Sequence, residues 1–448
     1  MSSRIKSMTE GKPSSLILTF ALPLMIGNVF QQLYTVVDTM VVGKALGVSA
    51  LAAVGAADWM NWLMLGVIQG ITQGFGILMA QEFGAGKYDE LHKTVGCSVL
   101  LSLLSSVLLL GAGQFIARPV LELLQTPPEI MNNALLYLRI MYVGVPVVMA
   151  YNLLAAILRS LGDGQTPLYA MIVAALVNIA LDLFFVLGLG LGIGGAAVAT
   201  LIAQLISSLF CLYHIRKIEI LTLTPTDFRL QGHRSGKLLM LGAPMAFQNA
   251  VISVGGMIVQ FVVNRFGVIF IAGFTATNKL YGVLEVAATS YGYSMVTYTG
   301  QNLGAGKTER IRKGMRAAVL ISLMTSAVIA MVMLVGGKVI LSCFISGTPE
   351  EYEQTLQIAY YYLAIMSVFL PVLYILHVTR SCIQGMGNTL LPMVSGIAEF
   401  VMRAATAILL PLLIGETGIF YAEIMAWAGA DLILVSSYFA VIRKVEKN

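Results

Sequence analysis

Apolar residues in this chain neither alternate nor keep to a narrow stripe. They run for twenty residues and more with few charges, and polar residues gather between the runs. Stretches of that length suit helices that cross a bilayer. Twelve are read, at about 15–42, 53–80, 94–115, 135–157, 167–190, 194–215, 238–263, 268–299, 316–336, 357–383, 392–414 and 417–440. The connection between spans five and six is short and glycine-rich. The longest polar connection, 216–237, separates spans six and seven.

The pattern repeats. Gln81-Glu82-Phe83-Gly84-Ala85-Gly86-Lys87 and Gln301-Asn302-Leu303-Gly304-Ala305-Gly306-Lys307 lie 220 positions apart and share five of seven residues. Leu22-Pro23 aligns with Ala243-Pro244, and Asn28 with Asn249, at an offset of 221. Arg159-Ser160-Leu161-Gly162-Asp163, with Pro167, aligns with Gln384-Gly385-Met386-Gly387-Asn388, with Pro392, at 225. Such a period in an apolar chain marks a duplicated bundle. An even number of spans per copy gives both halves one orientation, related by a pseudo-two-fold axis along the membrane normal. The expected fold is an all-α integral membrane protein of twelve helices in two six-helix bundles. The N-terminal lobe is 1–215, the cytoplasmic linker 216–237 and the C-terminal lobe 238–448.

Composition sharpens this picture. Of 448 residues, 58% are hydrophobic and 11% charged, with a mean hydropathy of +0.85. Soluble domains carry about a quarter charged residues, so a globular enzyme on an anchor is excluded. Twenty of the 27 lysines and arginines fall on one side: Arg4, Lys6 and Lys12, then the connections 2–3, 4–5, 6–7, 8–9 and 10–11, then Arg443, Lys444 and Lys447. The positive-inside rule puts both termini in the cytoplasm of a plasma-membrane protein. The net charge of +5 then reflects topology and attraction to anionic lipid, not nucleic acid. The first apolar run is too long for a signal-peptide core. Cys97, Cys211, Cys343 and Cys382 have no disulfide or metal spacing, and no cofactor is expected.

The Gly-Ala-Gly-Lys strings invite comparison with a phosphate loop. That loop needs a first glycine five residues before the Gly-Lys pair, and a strand ahead of it. Gln81 and Gln301 occupy the glycine position, and Tyr88 stands where one copy needs Ser or Thr. The strings read instead as helix ends with a left-handed glycine. Paired bundles of this kind usually enclose a central cleft that opens alternately to either side; without a nucleotide engine, such motion must be driven by an ion gradient or by the substrate's own.

Charges within membrane helices mark candidate function. Asp38 lies in the first span. Asp182 lies in the fifth, one turn beyond Asn178. Two carboxylates and an amide at similar depth suit a proton site or, with Thr200, a Na+ site. A structural, hydrogen-bonded aspartate beside a wet vestibule is the alternative. Glu399 and Arg403, four apart, are expected to neutralise each other. Lys279, Glu285, Glu423 and Asp431 face a cleft or pair across it, and His377 reads as a satisfied interior histidine. Pro23 and Pro244 bend spans one and seven at matching positions, as hinges or as static kinks.

Together, Pro23 with Gln31 and Asp38, Gln81 with Gly84-Ala85-Gly86, Arg159 with Gly162-Asp163 and Thr166-Pro167, Asn178 with Asp182, and the second-half counterparts resemble the MATE (multidrug and toxic compound extrusion) family. The resemblance covers nearly the whole chain. It implies alternating-access export of small amphipathic, often cationic compounds against H+ or Na+, by a protein expected to be a monomer amid lipid. It lies nearest the DNA-damage-inducible-type branch. That branch implies coupling at Asp38, Asn178, Asp182 and Thr200, with Gln31, Tyr137 and Asn152 as cavity neighbours. The other bacterial branch uses acids in spans seven and ten, and this chain has none in 242–263 or 360–380. A flippase for a lipid-linked sugar is the alternative within transport. A membrane-embedded enzyme is the alternative from another class.

Overall fold

Lipid offers no hydrogen bonds, so a crossing backbone must satisfy itself, and helices do so. The computed structural model describes residues 5–345 and 348–447, with no strand among them. Arg4, counted above among the basic residues, lies outside the described residues. The helices in chain order are α1 (Pro13–Leu46), α2 (Val48–Gly84), α3 (Tyr88–Leu123), α4 (Pro128–Val143), α5 (Val145–Ser160), α6 (Gln165–Asp182), α7 (Gly192–Ile215), α8 (Gly232–Val263), α9 (Val268–Gly304), α10 (Thr308–Ser342), α11 (Pro349–Gly385), α12 (Leu390–Ile414) and α13 (Ala422–Lys447). Among the described residues, ten spans are long and apolar enough to cross a membrane, eleven when α4 and α5 count as one. The remaining long helix, α9, has 37 residues but carries Lys279 and Glu285.

Two spans depart from the sequence reading. The fourth, expected as one helix over 135–157, is two helices bent by 49°. Pro146 is the cause: it sits in the first turn of α5, lacks an N–H and crowds the carbonyl one turn back. The fifth ends in a π-helical turn, Leu183–Gly188, directly after Asp182. Such turns widen a helix locally and recur at functional positions.

The chain forms two compact units. Unit 1 is Met1–Glu10, Leu22–Ala250 and Gly304–Gly306. Unit 2 is Gly11–Ala21, Val251–Leu303 and Lys307–Asn448. Unit 1 has a core of Phe75, Met79, Leu91, Leu158, Met171 and Leu238. A second cluster holds Val42, Met60, Ile68, Tyr137, Met149 and Val186. Within this unit α2 and the first half of α8 touch backbone to backbone, because a Cβ on Gly74 would collide with Gly242. Small residues allow such approach in membrane helices.

The repeated strings end helices. Lys87 N–H donates to Glu82 O at 3.0 Å and Gly86 N–H to Phe83 O at 3.1 Å, with Gly86 at φ 68°. Gly306 matches at φ 69°, and Lys307 N–H donates to Asn302 O at 2.8 Å. This is the glycine-terminated helix end. The other repeat caps helices: Asp163 accepts from Thr166 N–H at 2.9 Å, and Asn388 from Leu391 N–H at 3.1 Å.

The polar connection 216–237 is docked on unit 1. Ile218 and Leu221 enter the core, and His92 Nε2 lies 2.9 Å from Ile220 O. Asp227 closes a turn by accepting from Thr224 N–H at 2.7 Å. That backbone bond leads the interactions holding its carboxyl below the usual range. The turn's small contribution is therefore present above the ordinary carboxylate value and fades as pH falls through the lowered one. Arg234 fastens the connection. Its Nη1 donates to Thr94 Oγ1 at 2.5 Å, Glu90 O at 3.0 Å and Glu82 Oε1 at 3.3 Å, and its Nη2 binds the Glu90 carboxylate.

Two substitutions test this packing. Gly74→Val is expected to destabilise the protein by about 1–3 kcal/mol through overpacking. Arg234→Met strands Glu82 and is expected to cost about as much, with part of the charge still reaching water. Both appear as lower unfolding temperatures in detergent, followed by loss of the monodisperse gel-filtration peak.

Candidate functional site

The acids of the first and fifth spans meet in unit 1. Asp38 lies near the end of α1 and Asp182 at the last residue of α6. Their carboxyl groups face each other at hydrogen-bonding range. Asp182 is fully buried and Asn178, one turn below, is 1% exposed. Asp38 Oδ1, both Asp182 carboxyl oxygens and Asn178 Oδ1 are buried acceptors with no donor among the described residues. Asn178 Nδ2 donates to Thr200 Oγ1 at 3.4 Å, and that hydroxyl donates to Ala196 O at 3.1 Å. Asp38, Asn178, Asp182 and Thr200 thus form one oxygen-rich patch.

Two tyrosines border it. Tyr34, on α1 one turn before Asp38, lies beside the Gln31 and Gln204 side chains and within electrostatic reach of both aspartates. Tyr137, on α4, is buried and faces Asp38 and Asp182. Asn152 is placed differently. It donates to Val148 O on its own helix at 2.8 Å, and its recorded bond does not reach the acids. A third carboxylate joins from α2: Asp58 is exposed and within electrostatic reach of Asp38 and Tyr137. The reading of the sequence missed it. The signal was present, since Asp58 interrupts an apolar run just as Asp38 does.

Unit 2 holds a paired charge network, although Asp431 Oδ1 is buried with no partner among the described residues. Glu399, 4% exposed, lies between two guanidinium groups, Arg380 Nη2 at 2.6 Å and Arg403 Nη2 at 3.0 Å. Arg403 also donates to Glu423 Oε2 at 2.7 Å and Ile252 O at 3.2 Å. The expected pairing of Glu399 with Arg403 is present and extended at both ends. Glu285 lies 3.3 Å from His377. The repeat partners of Asp38 and Asp182 are Val259 and Ala407, both buried apolar residues.

The profile of one family, MatE, matches residues 23–184 and 244–409. Together these cover well over half the chain, and the two segments begin at Pro23 and Pro244. The chain belongs to the MatE family. It is 28% identical over 412 residues to the probable multidrug resistance protein YpnP of Bacillus subtilis (strain 168), covering 92% of this chain and 91% of that one. It is 26% identical over 364 residues to DNA damage-inducible protein F of Escherichia coli (strain K12), covering 79% and 76%. In three dimensions it matches a crystal structure of MATE in complex with MaL6, with a TM-score of 0.92, 22% identity and full coverage of both chains. The MatE fold therefore has the expected twelve helices in two bundles, with the broken α4–α5 pair as one span. A MatE protein is a membrane transporter of the efflux class, not an enzyme, and the flippase reading is not favoured.

Removing one member of the unit 2 network leaves a buried charge alone. Arg403→Met is expected to cost about 3–5 kcal/mol. The double variant Arg403→Met/Glu423→Gln should recover part of that, measured as unfolding temperature in detergent.

Proposed function

We propose that this MatE protein is a secondary active exporter of small amphipathic or cationic compounds, coupled to inward H+ or Na+ at the aspartates of unit 1. The observation that supports it best is the Asp38–Asp182 contact. Two carboxylates face each other inside a membrane unit, with a buried amide oxygen alongside and no donor between them. Such a group is unstable without a cation. A proton shared between the carboxyls relieves the repulsion. So does a Na+ held by Asp38, Asp182, Asn178 Oδ1 and Thr200 Oγ1, all hard oxygen donors. Exposure grades inward along the acids: Asp58 is exposed, Asp38 half-buried and Asp182 buried. Asp58 accordingly meets the incoming cation first.

The remaining roles follow from this arrangement. Tyr34, Gln31 and Tyr137 line the compartment in which substrate and cation exclude each other, and Asn152 shapes its wall from α5. Pro23 and Pro244 act as hinges. α1 changes from unit 2 to unit 1 at Ala21–Leu22, directly before Pro23, and α8 changes at Ala250–Val251, six residues beyond Pro244. The lobes are 1–215 and 238–448, joined by 216–237. The protein works as a monomer in the plasma membrane with both termini in the cytoplasm. One charge falling through roughly 150 mV supplies about 3.5 kcal/mol, enough for a gradient of a few hundred-fold.

Proteoliposomes loaded with a cationic dye, under separately imposed pH and Na+ gradients, test the coupling. Wild type is expected to extrude dye under one of them. Asp38→Asn and Asp182→Asn should abolish extrusion while keeping the gel-filtration profile; normal transport by either sinks the assignment. Asp58→Asn is expected to keep the maximal rate but to raise the half-saturating cation concentration several-fold.

A further inference from the structure

Unit 2 carries a cleft that neither the acids nor the charge network uses. α10, α11 and α13 leave between them about 760 Å³, within the roughly 300–1,000 Å³ of small-molecule sites. Two chemistries meet there. The walls are hydrocarbon, including Val319, Leu323, Ile375 and Val435, and the rim carries Arg312, Arg316 and Arg443. Leu320 and Phe439, on the outer edges, remain 61% and 54% exposed. Arg312 is paired with Glu446 at 2.6 Å. Among the described residues, neither Arg316 nor Arg443 has a carboxylate within ion-pair distance.

A second observation comes from α11. Thr379 lines the cleft, is 1% exposed, and its Oγ1 has no hydrogen-bond partner among the described residues. A threonine within a helix ordinarily bonds the carbonyl one turn back. An unclaimed buried hydroxyl is costly, and an acceptor placed in the cleft relieves that cost.

We propose that this cleft binds one anionic glycerophospholipid, its phosphate on the arginine rim and an acyl chain along Val319, Leu323 and Val435. Arg316 and Arg443, unpaired among the described residues, with Arg312 shared with Glu446, repel a cationic substrate. The long apolar wall gives a free phosphate or a nucleotide nothing to fill it. The rim lies where α10 begins and α13 ends, among the basic residues that mark the proposed cytoplasmic face. Basic pockets between helices at that level suit anionic headgroups. The site rests on the membrane reading of the chain and is independent of coupling at Asp38.

Native mass spectrometry of the purified full chain, with phosphatidylglycerol, phosphatidylcholine or palmitate added to the detergent, tests it. One phosphatidylglycerol is expected to be retained in preference to phosphatidylcholine. Each arginine-to-glutamine change should weaken retention about fivefold, and Arg312→Gln/Arg316→Gln/Arg443→Gln about a hundredfold. Val435→Trp keeps the charges but fills the cleft, and should also lose the lipid. Equal retention of both phospholipids, full retention by the triple variant or by Val435→Trp, or binding of palmitate alone each overturns the proposal. An unchanged unfolding temperature and gel-filtration peak show that the variants fold, and because binding is read in detergent, loss of coupling at Asp38 leaves the result untouched.

Discussion

The rest of this structure depends on the cost of an unpaired charge in apolar surroundings. Helices answer the backbone's version of that cost. The side chains answer it in two ways. In unit 2 one network is matched internally, with Glu399 between Arg380 and Arg403, and Arg403 between Glu399 and Glu423, while Asp431 Oδ1 stands apart from it with no partner among the described residues. In unit 1 the requirement is left open, because Asp38 and Asp182 face each other and their buried oxygens meet no donor among the described residues. A matched network holds its shape. An unmatched pair has use for a visiting cation.

The two copies share backbone geometry and differ in charge. The helix ends at Gly86 and Gly306 have the same left-handed glycine, and Asp163 and Asn388 cap equivalent helices. At the same offset of 225, Asn178 corresponds to Arg403, Asp182 to Ala407, and Ala174 to Glu399. One helical face therefore carries an acid and an amide in the first copy and an ion pair in the second. Turns tolerate little change, since only certain residues adopt their dihedrals. Charges on a helix face are free to diverge, provided each copy settles its own balance.

Most of the fold was legible because bilayer thickness fixes the length of an apolar run. The Gly-Ala-Gly turns and the proline pair were legible because they use residues with unusual backbones. The break between α4 and α5 was written in Pro146, but its apolar flanks hid it within a continuous run. The π-helical turn after Asp182 has no sequence signature of its own. Asp38, Asp182 and Asn178 stood out as polar residues in apolar helices, and only the fold could bring α1 beside α6. Arg380 falls near the end of the span read over 357–383, with nothing in the sequence to name its partner. It reaches Glu399 from 19 residues away because α11 and α12 return on each other. The docking of 216–237 was likewise hidden, since Arg234 joins Glu82 across 152 positions.

Under the proposed coupling, the same electrostatics would set how tightly a cation is held. Two unit charges about 4 Å apart interact by about 4 kcal/mol at an effective dielectric of 20. One charge moving through a typical membrane potential releases roughly 3–4 kcal/mol. The two scales are close, which an exchanger needs: a cation bound far more tightly would not leave, and one bound far more weakly would not drive a conformational change. Burying every acid would strengthen the site beyond that range. Exposed Asp58 and half-buried Asp38 leave one side of the proposed site open, while buried Asp182 and Asn178 keep the interaction from being screened away. On the proposed reading, this graded burial would suit the acid pair to repeated exchange rather than to permanent occupancy.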